Sequence, residues 1–277
     1  VASKTIVITG ASDGIGEAAA RRLTRDGHSL VLVGRSPEKT KRVADELGAP
    51  YYVADFTRLA EVRQLAAQLE LSVPRIDVLV NNAGGIFGER NRTPDGYEKT
   101  LQVNHLAPFL LTTLLMPTLI SSGASVLNTS SIAASLFGKM DIDDLNNERK
   151  FSSNKAYGDA KLANILFTKE LHRRYSADGL SAVAFHPGNV KTAFASNTTS
   201  LMRFIYRTPL GLLAGLISPE QGADNTVWLA ETTPGVDWVS GEYYEKRVLS
   251  TTNPQVLDEK LAAAFWERSA EMVALTV

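Results

Sequence analysis

Near its start the chain runs from four β-branched residues, Thr5-Ile6-Val7-Ile8, directly into Thr9-Gly10-Ala11-Ser12-Asp13-Gly14-Ile15-Gly16. The first four suit a short buried strand. Residues 17–25 then carry a helical pattern, and Gly27 stands where a glycine commonly ends a helix. Strand, glycine turn and helix in that order form the setting in which a dinucleotide pyrophosphate is bound. Glycines permit the tight turn and let the backbone come close to the pyrophosphate. The helix start adds N–H donors and a partial positive charge. The spacing is Gly-x-x-x-Gly-x-Gly rather than Gly-x-Gly-x-x-Gly.

The rest of the chain repeats the strand-then-helix alternation. Strands are predicted at 29–33, 50–54, 76–80, 125–128, 180–185 and 241–244, and helices at 38–47, from 59, at 96–119, 152–175, 218–230 and 257–275. Such alternation predicts an α/β fold: one Rossmann-type, doubly wound parallel sheet of about seven strands with helices on both faces. Residues 1–277 read as a single domain without internal repeats. The 29 basic residues balance 30 acidic ones, and no block of one sign occurs, which argues against nucleic acid as a partner. With no cysteine, disulfides, cysteine metal sites and thiol nucleophiles are excluded. The four histidines show no ligand spacing, and Asp141, Asp143 and Asp144 lack the spacing of a calcium loop, so no metal is expected. The apolar stretch 201–217 is interrupted by Arg203, Arg207 and Pro209 and falls short of the roughly 20 residues of a spanning helix. It is read as part of a flap around 193–217 over a pocket, not as a membrane span. The start of the sequence shows no secretory pattern, so a soluble, cytoplasmic protein is expected.

Strand ends collect the polar residues. The second strand ends in Gly34-Arg35-Ser36, without the acidic residue that would select NAD through a ribose hydroxyl. Arg35 can pair with a 2′-phosphate, which favours NADP(H), with NAD(H) as the alternative. Asp13 works against this by placing a negative charge in the glycine turn. Asp55 follows the third strand, either to bond an adenine amino group or to cap the helix from Leu59. Asn81-Asn82-Ala83-Gly84 follows the fourth, Ser130-Ser131 the fifth, and Pro187-Gly188-Asn189-Val190-Lys191-Thr192 closes the sixth. Asn104 lies inside a predicted helix, where asparagine is mildly unfavourable unless it bonds something specific. Tyr157 and Lys161 stand one turn apart on one helix face. A free phenol, with a pKa of about 10, is a poor base at neutral pH. A neighbouring ammonium favours the phenolate, so the pair can give and take a proton near working pH.

In this order the motifs resemble the short-chain dehydrogenase/reductase family over nearly the whole chain. Tyr157 to Leu166, the insertion between Ser131 and Tyr157, and a tail from Gly241-Glu242-Tyr243-Tyr244 to Phe265-Trp266-Glu267-Arg268-Ser269 look most like its retinol-dehydrogenase-like branch. The resemblance implies that Tyr157 is proton donor or base, that Lys161 lowers its pKa and bonds the nicotinamide ribose, and that Ser131 orients the substrate oxygen. Asn104 would hold a water. It further implies a cofactor site of Gly10, Ser12, Asp13, Gly14, Ile15, Gly16, Arg35, Ser36, Asp55, Phe56, Asn82, Ala83, Gly84, Tyr157, Lys161, Pro187, Gly188, Val190 and Thr192. The expected partner is a small carbonyl or alcohol, lipophilic if 201–217 walls the pocket. Relatives are often homodimers or homotetramers built on the long helices, unless the tail covers that surface. Two other readings stand beside this one. They are a carbon–carbon double-bond reductase, weakened by the absence of cysteine, and a non-catalytic nucleotide-sensing protein, weakened by the presence of both Tyr157 and Lys161.

Overall fold

Ile6 and Ile8 point to one side of the first strand, β1 (Thr5–Thr9), and Val7 points to the other; all three are fully buried. A strand apolar on both faces needs a covering layer on each. The computed structural model, which describes residues 2–188 and 217–275, supplies both. Val190 and Thr192 lie outside the described residues, as does the expected flap except for Ile217.

Six more strands run parallel to β1: β2 (Ser29–Gly34), β3 (Tyr51–Val53), β4 (Val78–Asn81), β5 (Ser125–Thr129), β6 (Ser181–His186) and β7 (Tyr243–Glu245). Their order in the sheet is β3-β2-β1-β4-β5-β6-β7. An eighth strand, β8 (Val248–Leu249), pairs antiparallel with β7. The expected number was about seven. Lys246 and Arg247 turn the hairpin with φ of 50° and 63°, a conformation that usually advertises itself through glycine or asparagine.

One face of the sheet is covered by α1 (Gly14–Arg25), α2 (Pro37–Leu47) and α9 (Asp224–Glu231), packed on Ile6, Ile8, Leu32, Val80 and Leu127. The other carries α3 (Leu59–Ser72), α4 (Lys99–Leu114) and α7 (Ser153–Tyr175), packed on Val7, Leu79 and Val126. Alternate side chains of each strand thus serve opposite cores. Strand β1 sits where the crossovers change direction: the helices that follow β1 and β4 lie on opposite faces of the sheet, which leaves a crevice at the strand C-termini.

The helix expected over 96–119 is shorter and broken. Gly96 has φ 90°, and Glu98 caps the start by accepting from the N–H groups of Thr100 and Leu101. Pro117, without an N–H and with a ring that clashes one turn back, separates α4 from α5 (Met116–Ser122), with a 64° bend between them. This bent pair has the length and apolarity of a span, yet Leu106, Phe109, Leu110 and Leu111 of α4 are fully buried in the protein. Among the described residues no single helix is long and apolar enough to cross a membrane. The helix expected over 218–230 is likewise two pieces, α8 (Pro219–Gly222) and α9. Between β5 and α7 lies a short helix, α6 (Ala133–Leu136).

The tail forms α10 (Glu259–Met272) and covers α4 and α7. Trp266 sits 5.0 Å from Phe109 and 5.6 Å from Phe167, ring centre to ring centre, with the Arg174 guanidinium 4.6 Å from the Trp266 ring. Phe109 therefore joins three helices. Phe109→Ala is expected to cost about 3–5 kcal/mol of stability in urea unfolding. A loss below about 1 kcal/mol would mean that α10 does not depend on this contact.

Candidate active site

The glycine turn and the loop after β4 touch. Gly10 has φ 67°, and a Cβ there would lie 2.9 Å from the Ala83 Cα. A Cβ on Gly16 would lie 2.2 Å from the Gly10 carbonyl oxygen. The Thr9 hydroxyl oxygen accepts from the N–H groups of Asn82 and Ala83, both at 3.0 Å. The Asn82 amide donates to the carbonyls of Thr9 and Gly10, at 3.0 and 3.3 Å. Glycine at both positions thus lets the two loops pack directly against each other beside the crevice.

The crevice is an open cleft of about 370 Å³. At one end are Gly10, Ser12, Asp13, Gly14, Ile15, Arg35, Asp55 and Phe56; Asn82, Ala83 and Gly84 form the middle; Ser131, Tyr157, Lys161, Pro187 and Gly188 close the other end. Three expected site residues do not line the cleft. Gly16 packs under the turn. Ser36 caps α2 by accepting from the Lys39 N–H. The Asn104 side chain accepts from the Gly85 N–H at 3.1 Å and donates to the Gly85 and Thr100 carbonyls, each at 2.9 Å. It lies in a π-helical turn, Gln102–Leu106, so the specific bonds expected of it hold the wall of the cleft. Asp55 does not cap α3. Its carboxylate accepts from the Thr57 N–H at 2.9 Å, and Asp95 bonds the Leu59 N–H instead.

Lys161 is 2% exposed. Its ammonium donates to the Thr129 carbonyl at 3.0 Å and lies 5.5 Å from the centre of the Tyr157 ring. Burial pushes its pKa down to about 7. Ser130 donates its hydroxyl to the Lys161 carbonyl at 2.8 Å and so is committed to the helix backbone. The Ser131 oxygen accepts from the Ala133 N–H at 3.2 Å, which leaves its own proton for a bond into the cleft. Among the described residues no group of three or more histidine, aspartate and glutamate side chains could hold a metal.

Several contributors were not legible beforehand. Thr129 acts through its carbonyl, which any residue supplies. Lys39 pairs with Asp13 at 2.8 Å, across 26 positions of sequence. Its spacing of four from Arg35, in the first turn of a predicted helix, was the available sign. His186, at the end of β6, lines the same cleft, and burial lowers its pKa.

Residues 4–202 match the family model described as short chain dehydrogenase. The chain belongs to that family. Within it, the retinol-dehydrogenase-like branch fits best. A protein of Streptomyces sp. (strain C5) named "Putative daunorubicin C-13 ketoreductase DnrU" is 42% identical over 280 residues, covering 99% of this chain and 93% of the relative. Human retinol dehydrogenase 13 is 36% identical over 286 residues, covering 99% of this chain and 86% of the relative. Two solved structures share the fold at 25% identity. The RhlG/NADP active-site complex of Pseudomonas aeruginosa has a TM-score of 0.71 and covers 89% of this chain and 95% of its own. The 3-ketoacyl-(acyl-carrier-protein) reductase of Brucella melitensis complexed with NADH has a TM-score of 0.69, covering 88% and 96%. This short-chain dehydrogenase is an oxidoreductase of a family that acts on small carbonyl and alcohol substrates.

The buried amine has a consequence for stability. Unfolded, Lys161 holds its proton up to its ordinary pKa of 10.5; folded, it loses the proton near 7. Between those values the unfolded chain binds more protons, so stability from this group rises with pH and is lost as pH falls to about 7. Wild type is therefore expected to gain stability relative to Lys161→Met as pH rises through that window, measured by denaturant midpoints. A flat difference would show that the amine is not desolvated.

Proposed function

We propose that this protein is an NADP(H)-dependent carbonyl reductase or alcohol dehydrogenase with a lipophilic substrate. The observation that carries the reading is one cleft with a backbone-lined glycine turn at one end and Tyr157, Lys161 and Ser131 at the other. Gly10 and Gly14 on the cleft side of the turn suit a pyrophosphate, and Gly84, Lys161 and Pro187 border the room for a nicotinamide. A bound nicotinamide supplies or accepts the hydride.

The chain's own groups handle the proton. In reduction the Tyr157 hydroxyl gives its proton to the substrate oxygen, and in oxidation the phenolate takes it back. Ser131 donates to the same oxygen and fixes its direction. The Lys161 ammonium, held by the Thr129 carbonyl, favours the phenolate while it is protonated. Asn104 keeps Gly85 in place next to Gly84, where a Cβ would be 3.5 Å from the Lys161 nitrogen.

Two features support NADP(H). Arg35 is exposed at the adenosine end of the cleft, and β2 ends in Gly34, where a Cβ would lie 2.2 Å from the Thr40 hydroxyl, so no acidic side chain fits. Lys39 neutralises Asp13, the charge that opposed a phosphate there. Support for a lipophilic substrate comes from Ile132, Leu136 and Phe137, exposed on the segment that follows Ser131, and from Ile86 and Phe87 in the cleft wall. The names of the ketoreductase and retinol dehydrogenase relatives agree with this chemistry.

Tyr157→Phe is expected to retain cofactor binding while kcat falls about 10²- to 10⁴-fold, since a positioned acid is lost. Near-normal turnover would remove Tyr157 from the chemistry. Arg35→Ala is expected to raise KM for NADPH by about tenfold or more and leave KM for NADH nearly unchanged. Equal effects on both would exclude Arg35 from phosphate recognition. Titrating the wild-type protein with each cofactor tests the preference directly: tighter binding of NADH would overturn it.

A further inference from the structure

The Thr129 carbonyl, at the end of β5, accepts two hydrogen bonds. Lys161 Nζ donates at 3.0 Å, and Asn164 Nδ2 donates at 3.0 Å. Both donors come from one face of α7, three residues apart. The line continues away from the cleft. Asn164 Oδ1 lies 3.4 Å from His105 Nδ1, and His105 Nε2 lies 3.0 Å from the Ser269 hydroxyl of α10. Asn164 is 4% exposed; His105 and Ser269 are completely buried.

The chemistry of the groups fixes the direction of each bond. A carbonyl only accepts, so the Asn164 amide nitrogen must face Thr129 and its oxygen must face His105. That oxygen only accepts, so His105 Nδ1 must carry a proton. The ring is neutral at working pH, because burial pushes its pKa down to about 3. Phe109, Phe167 and Phe265 surround it, with ring centres 4.7–5.9 Å away. A neutral ring with Nδ1 protonated leaves Nε2 as an acceptor, so the Ser269 hydroxyl must donate to it. Reversing any one bond would set two acceptors or two donors against each other in a dry core.

We infer that Asn164 is a positioning residue for Lys161, and that His105 and Ser269 hold its amide in the donating orientation. A carbonyl engaged from two directions cannot swing, so the ammonium bonded to it is fixed beneath Tyr157. Ser269 thereby links the closing helix to the proton-transfer pair, although it lies far from the cleft wall in the chain. The role of Lys161 rests on the carbonyl–alcohol reading above; the bond directions do not.

Nitrogen-15 NMR of the full chain labelled in histidine tests the directions. One histidine, identified by its absence in His105→Phe, is expected as the neutral tautomer protonated at Nδ1. Protonation at Nε2 instead would overturn the inference. Kinetics test the consequence. Asn164→Asp keeps the shape and replaces the donor by an acceptor, so kcat for carbonyl reduction is expected to fall about 10- to 100-fold, the cost of a displaced catalytic group. KM for NADPH is expected to change by a clearly smaller factor than kcat, since Asn164 does not line the cleft and acts on the cofactor only through Lys161. Ser269→Ala, which removes only the terminal donor, is expected to lower kcat by about threefold or more in the same pattern and serves if the aspartate variant does not fold. Unchanged kcat in a folded variant, or a fall matched by equal loss of cofactor binding, would overturn the positioning role. Absence of turnover in the wild type would defeat the carbonyl–alcohol reading, and the ring tautomer would still decide the bond directions.

Discussion

The site depends on how closely the backbone after β1 approaches the backbone after β4. A single Cβ on Gly10 or Gly16 would meet main-chain atoms within 3 Å. Thr9 and Asn82 secure the approach with bonds in both directions. With the two loops held together, the strand C-termini share one rim. Among the described residues, Tyr157, Lys161, Ser131 and the glycine turn then lie along a single cleft. Parallel strands make this economical, because each strand delivers its exit loop to the same edge.

The second constraint is the amine of Lys161. Burying it nearly completely lowers its affinity for a proton and demands an acceptor for it. The acceptor is a main-chain carbonyl of β5, so sheet and helix must be in register for the pair to exist. Around the same helix, the aromatic cluster of Phe109, Phe167, Phe265 and Trp266 packs α7 against α4 and α10. In the same layer His105 and Asn164 bond each other, and through Ser269 and the Thr129 carbonyl they reach α10 and β5. Packing and proton chemistry therefore share the same helix, and damage to one is felt by the other.

Much of this was legible in advance. The βα alternation, the glycine turn and the Tyr157–Lys161 spacing are local patterns with local causes, and each reappears in the structure. The errors are also local in origin. The helix across 96–119 was drawn through Pro117 because its apolar pattern continued past the proline. The last hairpin went unseen because Lys246 and Arg247 adopt positive φ without glycine or asparagine. Of the two readings of Asp55, the cap for α3 falls away because Asp95, remote in sequence, bonds the Leu59 N–H.

The sequence by itself determined the parallel sheet, the family and many, though not all, of the residues that line the cleft. It could do so because hydrophobic periodicity and turn chemistry are encoded within a few neighbouring positions. Tertiary structure alone decided which of two adjacent serines is committed to a helix carbonyl, that Lys39 neutralises Asp13, and that Thr129 holds Lys161. It also decided that Asn104 anchors the cleft wall and that Ser269 reaches His105. These are contacts between residues tens to more than a hundred positions apart, and several run through main-chain atoms that every residue type carries. No side-chain pattern announces such a bond; it exists only once the strands and helices have been brought into register.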